Sequence, residues 1–168
     1  MRHYPVFLDL RSRRIIVSGA GETALAKLRL LFKTEAVIQV FGAEPDAGVA
    51  ALAAKGQIVL EPRPLQTGDV TGSALFYAAN DEPTEDHRVA EIGRTEGALV
   101  NVVDNLEASA FITPALVDRD PVTIAIGTEG AAPVLARKIK AEIEAMLPAK
   151  LGILARIAQA FRPRAELL

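Results

Sequence analysis

With 168 residues, half of them hydrophobic, the chain is long enough for one domain and an appendage, and a chain of this size buries roughly 70% of its unfolded surface without a covalent staple. A net charge of -2 gives no electrostatic footprint for nucleic acid or an anionic membrane. The absence of cysteine excludes disulfides, thiol nucleophiles, iron–sulfur ligation and thiolate zinc sites.

The opening segment, Met1 to Leu8, holds too short an apolar run for a signal peptide and is followed at once by Asp9 and Arg11. No apolar stretch approaches the ~20 residues of a membrane span, so a cytoplasmic protein is expected. Ile15-Ile16-Val17 is a short β-branched run, as in a strand covered on both faces. A helix follows from about Glu22 to Lys33, with Leu25, Leu28 and Phe32 at helical spacing. The second strand is Val37–Phe41, the alanine-rich helix Asp46–Lys55 ends at Gly56, and Ile58–Leu60 is the third strand. After a loop marked by Pro62, Pro64, Gly68 and Gly72 come a fourth strand, Ala74–Ala78, and a helix opened by Pro83 with Val89 and Ile92 on its apolar face. Leu99–Val103 is the fifth strand.

This alternation predicts an α/β fold, a Rossmann-like doubly wound parallel sheet, over residues 1–113. Beyond Asp104 the pattern changes. Ala110–Leu116 and Val122–Ile126 read as two strands joined by a turn at Asp118–Pro121. Pro133 opens a helix with Leu135, Ile139, Ile143 and Met146 in one stripe, and Pro148 precedes a final helix that ends by Pro163. Two strands alone are marginal in water, and the stripe needs a cover. A small strand–helix dimerisation region over 114–147 is therefore expected, followed by a helical segment over 148–168 and a homodimer as the assembly.

Gly19-Ala20-Gly21-Glu22-Thr23-Ala24, between a strand and a helix, is the G-x-G-x-x-A form of the dinucleotide fingerprint. Gly19 would permit the tight turn, Gly21 the approach of a pyrophosphate, and Ala24 close helix–strand packing. The helix N-terminus offers unpaired N–H groups to phosphate. The acid expected some 20 residues on is missing. Phe41 and Gly42 stand there, with Glu44 the nearest carboxylate, so either Glu44 or backbone groups meet the ribose. No arginine near position 42 favours a 2′-phosphate, and NAD is favoured over NADP. Asp104 ends the fifth strand and Asn80-Asp81 the fourth, where open parallel sheets bind ligands, although on sequence alone a turn or capping role fits Asp104 better and Asn80-Asp81 are similarly ambiguous. Thr128–Pro133 leads into a helix N-terminus followed by Arg137, a place for a carboxylate or phosphate, with Lys138–Glu142 and Lys140–Glu144 spaced as ordinary i,i+4 pairs. His3 and His87 show no ligand spacing, and no metal site is expected.

Several segments in register resemble the precorrin-2 dehydrogenase/ferrochelatase part of siroheme synthases. They are Pro5, Phe7, Leu10, Gly19, Gly21, Lys27 and Arg29, then Ala78-Ala79-Asn80-Asp81, Asn101-Val102-Val103-Asp104, Phe111-Ile112-Thr113-Pro114 and Pro133-Val134-Leu135-Ala136-Arg137. The resemblance implies oxidation of precorrin-2 to sirohydrochlorin with NAD, insertion of ferrous iron as a possible second step, and Asp104 as the aspartate serving both. It further implies cofactor contacts at Gly19, Gly21, Glu22, Thr23, Ala43, Glu44, Ala79 and Asn80, and substrate contacts at Asn101, Thr128, Gly130, Pro133 and Arg137. Ala20, Thr34-Glu35-Ala36 and Thr128-Glu129 depart from the family pattern, the last where one branch carries a phosphorylated serine. The chain also lacks the methyltransferase half of the larger siroheme synthases, as a smaller enzyme or a piece of a longer one would. A non-catalytic NAD(H)-sensing Rossmann domain is the alternative, and Phe41-Gly42 argues against it.

Overall fold

The computed structural model describes residues 1–165; the last three residues of the expected segment 148–168 lie outside the described residues. The described residues fall into two compact units, 3–112 and Thr113 onward.

The first unit is a five-stranded sheet in the order β3-β2-β1-β4-β5, parallel throughout. Its strands are β1 (Arg14–Ser18), β2 (Val37–Phe41), β3 (Val59–Glu61), β4 (Leu75–Ala78) and β5 (Val100–Val102). The β-branched run of β1 lies at the centre, with Val17 in register with Val40 on one side and Tyr77 on the other. Ile15 and Val17 enter one apolar layer with Leu28, Val40 and Tyr77; Ile16 enters the other with Phe41, Phe76 and Val89. The side chains of Ile15, Ile16 and Val17 are fully buried, which stabilises the sheet by roughly 1.5–3 kcal/mol apiece.

Helix α1 (Glu22–Leu31) buries Ala24, Leu28 and Leu31. The stripe read from sequence was Leu25, Leu28 and Phe32; the observed i, i+4, i+7 face is rotated toward the smaller Ala24, and Phe32 is the C-cap, packing only at the edge of the core. Helix α2 (Ala47–Ala54) ends before Gly56, whose φ of +68° reverses the chain. Helix α3 (Pro83–Thr95) is capped by Glu82, whose two carboxylate oxygens accept from the Thr84 and Glu85 N–H groups at 3.0 and 2.6 Å. Those two donors hold the Glu82 carboxyl below the usual glutamate range.

The second unit holds an antiparallel hairpin, β6 (Ala115–Arg119) and β7 (Val122–Ile126), and helices α4 (Pro133–Met146) and α5 (Leu151–Ala165). The strand expected to begin at Ala110 begins at Ala115 instead. Residues 110 and 111 are bound to the first unit: the Ala110 N–H donates to the Val100 carbonyl at 2.7 Å, and the Phe111 ring meets Tyr77 edge-on at 5.3 Å. The α4 stripe is divided as well. Ala136 is buried and Ile139 and Ile143 are half-buried, whereas Leu135 and Met146 are exposed. The last helix runs past Pro163 to Ala165 rather than ending before it.

Candidate functional site

The carboxyl edge of the five-stranded sheet gathers the expected cofactor residues. Gly19 leaves β1 with φ +111°, its N–H donating to the Phe41 carbonyl at 2.8 Å. A side chain there would run into the Ala79 carbonyl, so only glycine lets the turn cross the end of β4. Gly21 is the N-cap of α1, and no side chain bonds the first-turn N–H groups through it. Those donors, with the positive end of the helix dipole, are what the turn offers to a phosphate. Thr23 is half-buried and Glu22 exposed on the same turn. The turn therefore fits the pyrophosphate of a dinucleotide.

Beside it, the end of β4 is braced internally. The Ser18 hydroxyl donates to Asn80 Oδ1 at 3.0 Å, and Asn80 donates from its backbone N–H and its Nδ2 to Asp86 Oδ1 at 2.9 and 2.7 Å. Asp86 is 9% exposed, and these donors, together with its place in the first turn of α3, make burial of its charge tolerable. Asn80, expected at the cofactor, is thus committed to the protein on both side-chain atoms. Ala79 is fully buried and reaches the edge only through its backbone. Asp81 has φ +61° and accepts a hydrogen bond from the Thr23 hydroxyl. Asp104, just past β5, also has a left-handed backbone, φ +60°, and is exposed. Thr23, Asp81, Glu82, Asp86, Val103 and Asp104 line one depression of about 180 Å³.

At the end of β2 the missing acid has a steric cause. A Cβ on Gly42 would stand 2.5 Å from the Ala20 methyl, so the residue that replaces the middle glycine of the turn closes the position to any side chain. Ala43 and Glu44 follow, both exposed. The fold brings one arginine close that proximity in sequence did not reveal: the Arg63 guanidinium lies 5.0 Å from the Phe41 ring centre. It is paired with Asp69 at 2.8 Å, and that pairing holds the Asp69 carboxyl below its ordinary range.

Asn101, expected among the substrate contacts, is 7% exposed, and its Nδ2 donates to the Phe111 carbonyl at 2.8 Å, tying the 105–111 segment back to β5. The remaining substrate candidates belong to the second unit. Thr128 accepts at its carbonyl from the Ala131 N–H, closing a turn through Glu129 (φ +51°) and Gly130 (φ +75°). Pro133 opens α4 with no side-chain cap before it, and Arg137 is exposed one turn on. Lys138–Glu142 and Lys140–Glu144 form the i,i+4 pairs read from sequence, at 3.9 and 3.8 Å. Ser18 and Asp86 were missed altogether. A buried aspartate on a helix breaks the apolar pattern and gives no local signal, and only the pairing of β1 with β4 explains it. Among the described residues, no cluster of three His, Asp or Glu is placed to hold a metal ion, and no helix is long and apolar enough to cross a membrane.

Comparison with known proteins follows these two units. The family described as putative NAD(P)-binding matches residues 6–115, and the one described as sirohaem biosynthesis protein central matches residues 119–146. The siroheme synthase of Chromobacterium violaceum is 41% identical over 96% of this chain and 34% of its own length. That of Azotobacter vinelandii is 40% identical over 100% of this chain and 36% of its own. The chain thus spans about a third of the length of the curated relatives it matches. A solved structure titled SirC, precorrin-2 dehydrogenase, superposes with a TM-score of 0.80 over 99% of this chain and 82% of that one, at 23% identity, and so has the same fold. The first family match takes in all five strands, the Gly19–Ala24 turn and Asp104, and on that ground the chain belongs to the putative NAD(P)-binding family.

Proposed function

We propose that this chain oxidises precorrin-2 to sirohydrochlorin with NAD, and that insertion of ferrous iron into the product follows on the same protein. The observation that carries the reading is the depression shared by Thr23 and Asp104. It joins the phosphate-binding end of α1 to an exposed carboxylate on one strand-end edge, where open parallel sheets take their ligands. The siroheme synthases similar over the whole chain, and the precorrin-2 dehydrogenase of the same fold, support the choice of substrate.

NAD, when bound, supplies the hydride acceptor. The Gly19–Thr23 turn would hold its pyrophosphate, and Ala43 and Glu44 would meet its adenosine part. Oxidation removes a hydride and a proton from precorrin-2. Asp104 receives the proton and passes it to water, and its charge offsets the positive charge that develops on the macrocycle. Ferrous iron is a substrate here: the macrocycle provides four nitrogens, and Asp104 accepts the pyrrole protons that the metal displaces. On the second unit, Arg137 and the helix-end donors after the Thr128–Pro133 turn are groups of a kind that binds carboxylates. We further assign the protein to the cytoplasm and to a homodimer formed through the region after Thr113.

The test is anaerobic incubation with precorrin-2 and NAD, followed by sirohydrochlorin absorbance. Asp104→Asn keeps the size of the side chain and removes its basicity. It should preserve folding and NADH binding while slowing oxidation by about 10²–10⁴-fold. Turnover equal to wild type would reduce Asp104 to a turn residue.

A further inference from the structure

The carboxylates around the depression are not equivalent. Glu82 is engaged by the first turn of α3, and Asp86 by Asn80. Asp81 is turned the other way, onto α1. One of its oxygens accepts from the Thr23 hydroxyl, and the other lies 2.9 Å from the place a Cβ on Gly21 would occupy. Both oxygens therefore sit against the turn that, in the reading above, receives a pyrophosphate. A helix N-terminus stabilises a carboxylate for the same reason that it stabilises a phosphate. Two anions at one first turn compete, because each is drawn to the same partial charge and each repels the other.

We propose that Asp81 is a built-in competitor of the dinucleotide pyrophosphate. It sits on the Gly21–Thr23 turn and has to leave it for NAD to bind. The left-handed backbone at Asp81 sets the carboxylate over the turn, and its exposed position lets it swing out. The consequence is an affinity for NAD(H) held below what the turn alone would give. A dehydrogenase that must release NADH after every turnover gains from this, since returning the carboxylate assists departure of the reduced cofactor. The proposal rests on the NAD site proposed above.

The test uses NADH fluorescence, which the tryptophan-free chain does not obscure. Asp81→Asn and Asp81→Gly both remove the charge and both tolerate a positive φ; the glycine variant also removes the hydrogen bond to Thr23. In each, the Kd for NADH should fall about two- to fivefold, the size suited to an exposed charge at a helix end. The gain should shrink between about 20 and 500 mM salt, as screening removes the repulsion. Adenosine, which has no phosphate, should bind wild type and variants alike. NADH affinity unchanged or weakened in both folded variants would overturn the proposal and leave the NAD site standing. So would an equal gain for adenosine, which would mean that Asp81 only shapes the turn. If neither wild type nor variants bind NADH, the NAD site itself is wrong and the competitor falls with it.

Discussion

At the scale of single residues, the edge of the sheet is governed by where a Cβ can stand. Gly19 combines a positive φ with a backbone pressed on the Ala79 carbonyl. Gly72 also has a positive φ, but open space surrounds it. Gly19→Ala must therefore move the end of β4 as well as strain its own backbone. We expect it to cost about 2–4 kcal/mol in urea unfolding and to abolish NADH binding, whereas Gly72→Ala should cost about 1 kcal/mol and leave binding alone. Equal losses at the two positions would show that backbone strain alone matters. The Gly19 turn was legible because its motif is local, glycine and alanine at fixed offsets between a strand and a helix. The empty position at Gly42 was visible as an anomaly but not explained, since its cause is a methyl 22 residues away in the chain. The internal bond of Asn101 was not legible for a related reason: its partner, the Phe111 carbonyl, depends on how the chain returns after β5.

At the scale of elements, hydrophobic period and turn chemistry placed the five parallel strands within a residue or two, with Val37–Phe41 recovered as read. Buried parallel strands announce themselves as unbroken β-branched runs. The segment 110–114 looks like a strand by composition yet does not extend β6 along β7, because Ala110 bonds to Val100 and Phe111 meets Tyr77 instead. Helix faces were located less well, since small residues carry much of the close packing: Ala24 on α1, and Ala90 and Gly93 on α3. Gly93 shows the size of this effect. A Cβ there would lie 2.6 Å from Phe76 Cδ1 and 2.9 Å from Val100 Cγ2, both side chains of the buried layer. Alanine has the better helix propensity by about 1 kcal/mol, but overpacking a dense core costs typically about 1–3 kcal/mol. Gly93→Ala should therefore be net destabilising and lower the urea midpoint. A raised midpoint would mean that α3 can lift from the sheet without penalty.

At the scale of the whole molecule, the second unit is where burial is incomplete. Its hairpin has two strands, of which only Val117 is fully covered. On α4, Val134, Leu135 and Met146 remain exposed, the last at 71%. On α5, Ile153, Ile157 and Phe161 recur every fourth residue, on one face by helical geometry, and each is at least half exposed. The buried side of α5 is spent on the hairpin, where Gly152 packs on the Arg119 and Asp120 carbonyls. An apolar stripe of this kind calls for a partner surface, and a twofold dimer is the commonest way to provide one. Light scattering in line with size exclusion, at micromolar concentration, should report twice the chain mass of 17.9 kDa. The double variant Ile157→Glu/Phe161→Glu places two charges in that stripe and should elute at the monomer mass. Its five-stranded unit should stay folded and bind NADH as before, because neither position belongs to that unit. A wild-type chain that remains monomeric and active on dilution would remove the dimer and show that the α5 stripe is stable in water.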